Sequence, residues 1–183
     1  MRFAILLAFA AACASSKSNE LGPANGPASS TPLGAAAGPA SGTGDLASQG
    51  SVFRATLSPA DEVPPPTLDP RQKPSGSATF TRSGMSLTWK VSVSGLSSAY
   101  SAAHVHLGQP GQAGPVLVPL TLTPGAQGEA SGEGTIDASA IKPKADGTAM
   151  TMADLLSALK SGGAYVNVHT ANNPKGEARG QIQ

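Results

Sequence analysis

Between residues 85 and 93 apolar and polar side chains alternate: Leu87, Trp89, Val91 and Val93 share one parity, Thr88, Lys90 and Ser92 the other. That period of two predicts a strand with one buried face, with Trp89 as its core anchor. Shorter runs of the same kind occupy 52–57, 77–82, 102–107, 116–122, 129–136, 165–170 and 178–182, separated by Gly- and Pro-rich punctuation. Eight short strands so spaced predict an all-β sandwich or barrel. One segment departs from this period. In TMADLLSALKSG at 151–162, Thr151 stands as an N-cap with Asp154 three residues on, and Met152, Leu155, Leu156 and Leu159 make an apolar stripe of helical spacing that Gly162 and Gly163 end. A helix of two to three turns is expected there, closing one end of the sandwich, with Asp154 a capping carboxylate rather than a catalytic one.

The first 50 residues follow neither pattern. Residues 1–13, MRFAILLAFAAAC, place Arg2 before an apolar run that ends in small residues and Cys13, the single cysteine of the chain. The run is too short to span a bilayer and reads as a secretory signal. Ala11 and Ala12 before Cys13 resemble the lipobox at which bacterial lipoproteins are cut and acylated, with Ala10 where such motifs usually carry Leu. Two readings stand: lipidation at Cys13, whose two acyl chains on the N-terminus would anchor the protein in a membrane, or ordinary cleavage near Ala12 or Ala14 and plain secretion. Residues 14–50 are mostly Ala, Gly, Ser and Pro, with Lys17, Glu20 and Asp45 the only charges. Such a segment cannot bury enough apolar surface to fold and predicts a disordered tether with a reach on the order of 35 Å. The expected organisation is a signal at 1–13, a linker at 14–50 and one β domain at 51–183. The expected location is a bacterial cell envelope, lipid-anchored in the outer membrane or at the cell surface, or else the secreted fraction.

Composition narrows the function further. Twelve Lys and Arg against 11 Asp and Glu leave a net charge of +1, with no basic run, so nucleic acid is not an expected partner. No G-x-S-x-G elbow, P-loop, H-E-x-x-H or cysteine–histidine nucleophile arrangement appears, and Asp61, Glu62, Glu129, Glu133 and Asp137 are scattered through loops and strand starts. A hydrolase is not supported, and no residue is assigned as catalytic.

The three histidines are the clearest candidate chemistry. His104 and His106 sit in AAHVHLG and His169 in YVNVHTANNP. On strands, His104 and His106 share a face opposite Ala103, Val105 and Leu107, while His169 shares a face with Tyr165 and Asn167, opposite Val166 and Val168. If the apolar faces enter one core, all three imidazoles lie on one outer surface, a workable ligand set for copper or zinc. The alternative is structural: imidazoles that hydrogen-bond loop carbonyls and pin the connections at 108–111 and 172–174.

At these residues the sequence resembles the CHRD family, the domain described as a repeat in chordin and found alone in bacterial secreted proteins. The resemblance rests on FRATLSPADEVPP at 53–65, LTWKVSVSGL at 87–96, AAHVHLGQPGQAGPV at 102–116 and GGAYVNVHTANNPKGEARGQI at 162–182. It implies an extracytoplasmic, immunoglobulin-like Greek-key β-barrel and little about activity. Within that pattern Glu62 and Pro64 mark an entry loop. Tyr165, Asn167, His169, Asn173, Pro174, Gly176, Glu177 and Arg179 form the closing hairpin, and Glu62, Tyr165, Asn167, Glu177 and Arg179 are the expected loop or anion contacts. The plainer reading makes Glu62, Glu177 and Arg179 loop-fixing ion pairs. A looser similarity runs to Cu/Zn superoxide dismutase, whose His-Val-His strand is similar to Ala103–His106 and whose later histidine is similar to Val168-His169. That similarity implies copper on His104, His106 and His169 and an Arg179 that guides an anionic substrate. The chain lacks the fourth bridging histidine, a zinc loop and the disulfide cysteines of that family.

Two functions from different classes follow. The first is a membrane-tethered, non-catalytic binding or structural module with an extracytoplasmic protein partner. The second is a copper- or zinc-binding protein using His104, His106 and His169, and superoxide-dismutase-like activity would further require turnover with the metal loaded.

Overall fold

A computed structural model describes residues 50–183 of the chain; the expected signal, Cys13 and all but the last residue of the 14–50 linker lie outside the described residues. Nine strands and one helix follow in the order β1 (Val52–Leu57), β2 (Ser75–Ser83), β3 (Ser86–Ser94), β4 (Tyr100–Leu107), β5 (Val116–Leu120), β6 (Thr123–Pro124), β7 (Ala130–Ile136), α1 (Met152–Lys160), β8 (Ala164–Thr170) and β9 (Ala178–Gln181). They make two antiparallel sheets, ordered β1-β2-β3-β7-β6 and β5-β4-β8-β9. The fold is an all-β sandwich. The alternation read in the sequence is the alternation observed: in β3, Leu87, Trp89, Val91 and Val93 are buried and the residues between them point outward. Their partners across the sheet, Phe80 opposite Trp89 and Ala78 opposite Val91, are buried on the same inner face. Val105, Val166 and Val168 from the second sheet complete the core.

The expected count of eight strands becomes nine because a two-residue strand follows the run at 116–122, on the other sheet. β5 ends at Leu120 on the second sheet, and the two-residue β6 pairs with β7 on the first. The buried end of Tyr100 sits at that switch: its hydroxyl donates to Leu120 O at 3.4 Å and accepts from Leu122 N at 3.3 Å. β5 lies at a sheet edge, which is where Pro119, with no N–H to give a ladder, is tolerated. The other side of the sandwich has no free edge. Arg54 and Gln183 exchange backbone hydrogen bonds of 2.7 and 2.9 Å, and Ser58 and Arg179 exchange bonds of 2.8 and 3.0 Å, which ties β1 to the β9 end of the other sheet. Closing a flank in this way removes a template for pairing with other chains.

The helix forms as its sequence dictates. Thr151 accepts from Asp154 N at 3.2 Å, and Asp154 Oδ2 accepts from Thr151 N at 2.9 Å, a reciprocal capping box that confirms the capping role of Asp154. Met152, Leu155, Leu156 and Leu159 all face the core. Replacing Leu155, 1% exposed, by Ala is expected to lower stability by about 2–5 kcal/mol in urea unfolding, while Met85→Ala, at a side chain 68% exposed, should change it by less than ~0.5 kcal/mol. Equal effects would contradict this placement of α1.

Candidate metal centre

β8 is the strand that builds the site, because all seven of its residues are buried. Val166 and Val168 face the core between the sheets. Tyr165, Asn167 and His169 occupy the opposite face, which the sequence reading expected to be an outer surface. Antiparallel register sets their neighbours: His106 in β4 and Gln181 in β9 flank Tyr165, and His104 and Arg179 flank Asn167. Two strands with an i, i+2 histidine pair and an offset third therefore bring the three imidazoles together. His104 and His169 have ring centroids 5.0 Å apart, His104 and His106 5.6 Å, and His106 and His169 6.1 Å. One ring nitrogen from each lies within 4.8 Å of those from the other two. His106 and His169 are buried, and only His104 is part-exposed.

This face is closed by three loops. From the β4–β5 loop, Gly114 O accepts from His106 Nδ1 at 2.9 Å, and Gly114 N donates to the Tyr165 hydroxyl at 3.0 Å. Gly is required there, because a Cβ at 114 would stand 1.6 Å from Leu107 O. From the β8–β9 loop, Pro174 O accepts from His169 Nδ1 at 3.1 Å. From the β1–β2 loop, Glu62 accepts from Asn167 Nδ2 at 3.2 Å. Gly176, at φ +136°, presses on that pair: a Cβ would come within 2.6 Å of Glu62 Oε2 and of both amide atoms of Asn167.

The carbonyl contacts fix the tautomers. A carbonyl oxygen can only accept, so Nδ1 carries the proton in both His106 and His169, and Nε2 of each presents a lone pair. His169 Nε2 then accepts from His104 Nδ1 at 3.1 Å. His106 Nε2 is buried and has no protein partner. The pinning of loops by imidazoles and the assembly of a ligand set are thus one arrangement, with Gly114 as the pinned residue where 108–111 was expected. Burial holds all three rings below the ordinary imidazole value. His104, where the neighbouring His169, His106 and Lys142 add to burial, is pushed down to about 4. Neutral imidazoles are the form that binds metal.

The other expected contact residues divide. Tyr165 stacks on His106 with centroids 4.9 Å apart and planes 12° from parallel, and the Arg179 guanidinium carbon lies 3.4 Å from the Tyr165 ring centroid. Arg179, 1% exposed, donates to Gln109 O at 3.0 Å. The ion pairs expected among Glu62, Glu177 and Arg179 are not what fixes the loops: the salt bridge among the described residues is the exposed Lys90–Glu133 pair. Glu177 is held by neutral donors instead, Ser97 N and Oγ, Thr170 Oγ1 and Asn173 Nδ2, at 2.5–2.9 Å. Burial pushes its carboxyl up, but those donors outweigh burial and hold it below the usual range. Sequence reasoning missed Gly114, Ser97 and Gln181. Gln181 Nε2 lies 2.6–2.9 Å from the carbonyls of Gly108, Gly162 and Ala164, and its parity with Arg179 was the available signal.

Glu62 is the opposite case. It is 3% exposed and accepts one side-chain hydrogen bond, and its Oε1 has no partner. Burial raises its pKa to about 7, against the lowering influence of Arg179, the Val63 backbone N–H and Asn167 and with Asp61 adding to the rise. A folded-state value of about 7 against 4.5 unfolded means that the stabilisation is full below pH 4.5 and is lost as pH climbs through 7. Glu62→Gln keeps the neutral form at every pH. The variant's stability relative to the parent should therefore rise between about pH 4.5 and 7.5, by on the order of 2–3 kcal/mol, in paired denaturation curves. The histidines, depressed in pKa, have the opposite dependence, which cancels in the difference. Parallel curves would mean that Glu62 is ionised in the folded protein.

No curated protein and no solved structure matches the chain. A family model, the CHRD domain, matches residues 53–182, from the first residues of β1 to the end of β9 and across every element of the site. The chain belongs to the CHRD domain family.

Proposed function

We propose that this protein is an extracytoplasmic CHRD binding module whose β4–β8 face holds one copper or zinc ion through His104, His106 and His169. The observation that carries the reading is the pair of Nδ1–H···O=C bonds from His106 and His169, which leave both Nε2 lone pairs directed away from the loops, one of them buried and unpartnered. A buried acceptor without a partner costs about 1–3 kcal/mol, and a metal ion is a species that offsets it. For His104 to join the ligand set through Nδ1, the single ring proton that it now donates to His169 Nε2 would have to move to its own Nε2, which would free both nitrogens for the ion. Three neutral nitrogen ligands suit copper and zinc, with copper(II) ahead of zinc in intrinsic affinity. His104 is the part-exposed member of the three, so solvent or a small ligand would reach an ion from its side.

The purified chain, loaded with Cu(II) or Zn(II) and desalted, is expected to retain about one ion per molecule by elemental analysis. His106→Ala and His169→Ala should each abolish retention while remaining folded by circular dichroism. A folded parent that retains no metal, or a triple His→Ala variant that retains as much, would refute the metal reading and leave a module whose histidines are structural.

The location belongs to the same proposal. We place the protein at a bacterial cell envelope, held by acylated Cys13, with the residues after it as a tether to an extracytoplasmic protein partner. Among the described residues no helix is long and apolar enough to cross a membrane. Fractionation should find the parent with membranes and Cys13→Ala in the soluble fraction; identical partitioning of the two would favour plain secretion.

A further inference from the structure

A second polar site lies beside the histidines and contains none of them. A cleft of about 330 Å³ opens between the β1–β2 loop, the β4–β5 loop and β9, lined by Asp61, Glu62, Val63, Pro110, Gly111 and Arg179. Its two buried ionisable groups are incompletely matched. Glu62, 3% exposed, has a carboxylate oxygen without a donor. Arg179, 1% exposed, has five N–H donors, and among the described residues Gln109 O is its one hydrogen-bond acceptor. The two are close enough for the guanidinium charge to act on the carboxyl, yet they form no salt bridge within 4.0 Å. Tyr165 beneath Arg179 and Gly176 against Glu62 hold the two heads where they are.

We infer that this cleft binds a small zwitterion of the α-amino-acid class, its ammonium on Glu62, which gives up its proton to solvent on binding, with Asp61 at the mouth, and its carboxylate on Arg179. A simple anion would meet two carboxylates, and a simple cation would meet the guanidinium. A molecule carrying both charges one carbon apart supplies the missing donor and the missing acceptor together and spans a gap that the side chains leave unbridged. The volume is at the lower end of the range for small-molecule sites, which suits an amino acid. Because no histidine lines the cleft, this inference does not depend on the metal.

The test is isothermal titration at about pH 8, above the Glu62 value of about 7, of the full chain, stripped of metal with EDTA, with glycine, L-alanine, L-glutamate and L-lysine. At least one should bind once per chain with a Kd below about 1 mM. Its N-acetyl and methyl-ester derivatives, each lacking one charge, should bind at least tenfold more weakly. Glu62→Gln, a near-isosteric change that spares Arg179, should weaken the free amino acid at least tenfold and leave the N-acetyl form unchanged. Absence of binding by all four up to about 10 mM, indifference to loss of either charge, or wild-type binding by Glu62→Gln would overturn the inference, with an ordered water then the occupant of the Glu62 contact.

Discussion

The structure depends on the burial of both faces of β8. An ordinary strand of a two-sheet sandwich faces core on one side and water on the other, so its polar residues need no protein partners. β8 has no water side, and Tyr165, Asn167 and His169 must each be matched with a polar group or leave an unpaired one in a low-dielectric setting. Three loops answer that requirement, each through a specific contact: Gly114 on His106 and Tyr165, Pro174 on His169, Glu62 on Asn167. The loops cover the sheet, and by covering it they orient the imidazoles and lower their basicity. Fastening and tautomer come from the same hydrogen bonds, which by themselves raise the basicity that burial lowers, and this explains how a structural and a ligand role coexist on His106 and His169.

How much of this was legible in the sequence depends on the distance over which each feature is determined. The alternation in β3 and the capping box of α1 are set by neighbouring residues and were readable as they stand. The shared face of the three histidines followed from parity alone, because Val166, Val168, Val105 and Ala103 had to enter the core. What parity could not reveal is whether the opposite face meets water or loops, since that is decided by where residues 58–74 and 108–115 return in space. The switch of chain between sheets after Leu120 was hidden for the same reason: Leu117, Leu120 and Leu122 are all buried, in one sheet or in two. Charge complementarity suggested ion pairs for Glu62, Glu177 and Arg179. The structure gives Glu177 a set of neutral donors and Arg179 an aromatic face, groups that carry no charge by which a sequence would betray them.

The metal centre and the cleft lie on one sheet face and share a physical link. His106, Tyr165 and Arg179 stack in turn, so the ring that bears the unpartnered Nε2 is two layers from the guanidinium that borders the cleft. Stacked planar groups resist tilting, and an imidazole fixed at both its Nδ1 and its face has little freedom left to lose when it takes a ligand. The rigidity of the candidate centre therefore comes from its surroundings as much as from its ligands.

The central claim is that the two loop carbonyls preset the ligand atoms. A crystal structure of the chain with zinc, with anomalous differences collected at the zinc edge, tests it most directly. The account predicts one ion about 2.0–2.1 Å from Nε2 of His106, Nε2 of His169 and a ring nitrogen of His104, with Nδ1 of the first two still bonded to Gly114 and Pro174. An ion bound through Nδ1 of His106 or His169 with those loops displaced, or an ion elsewhere on the protein, would contradict it.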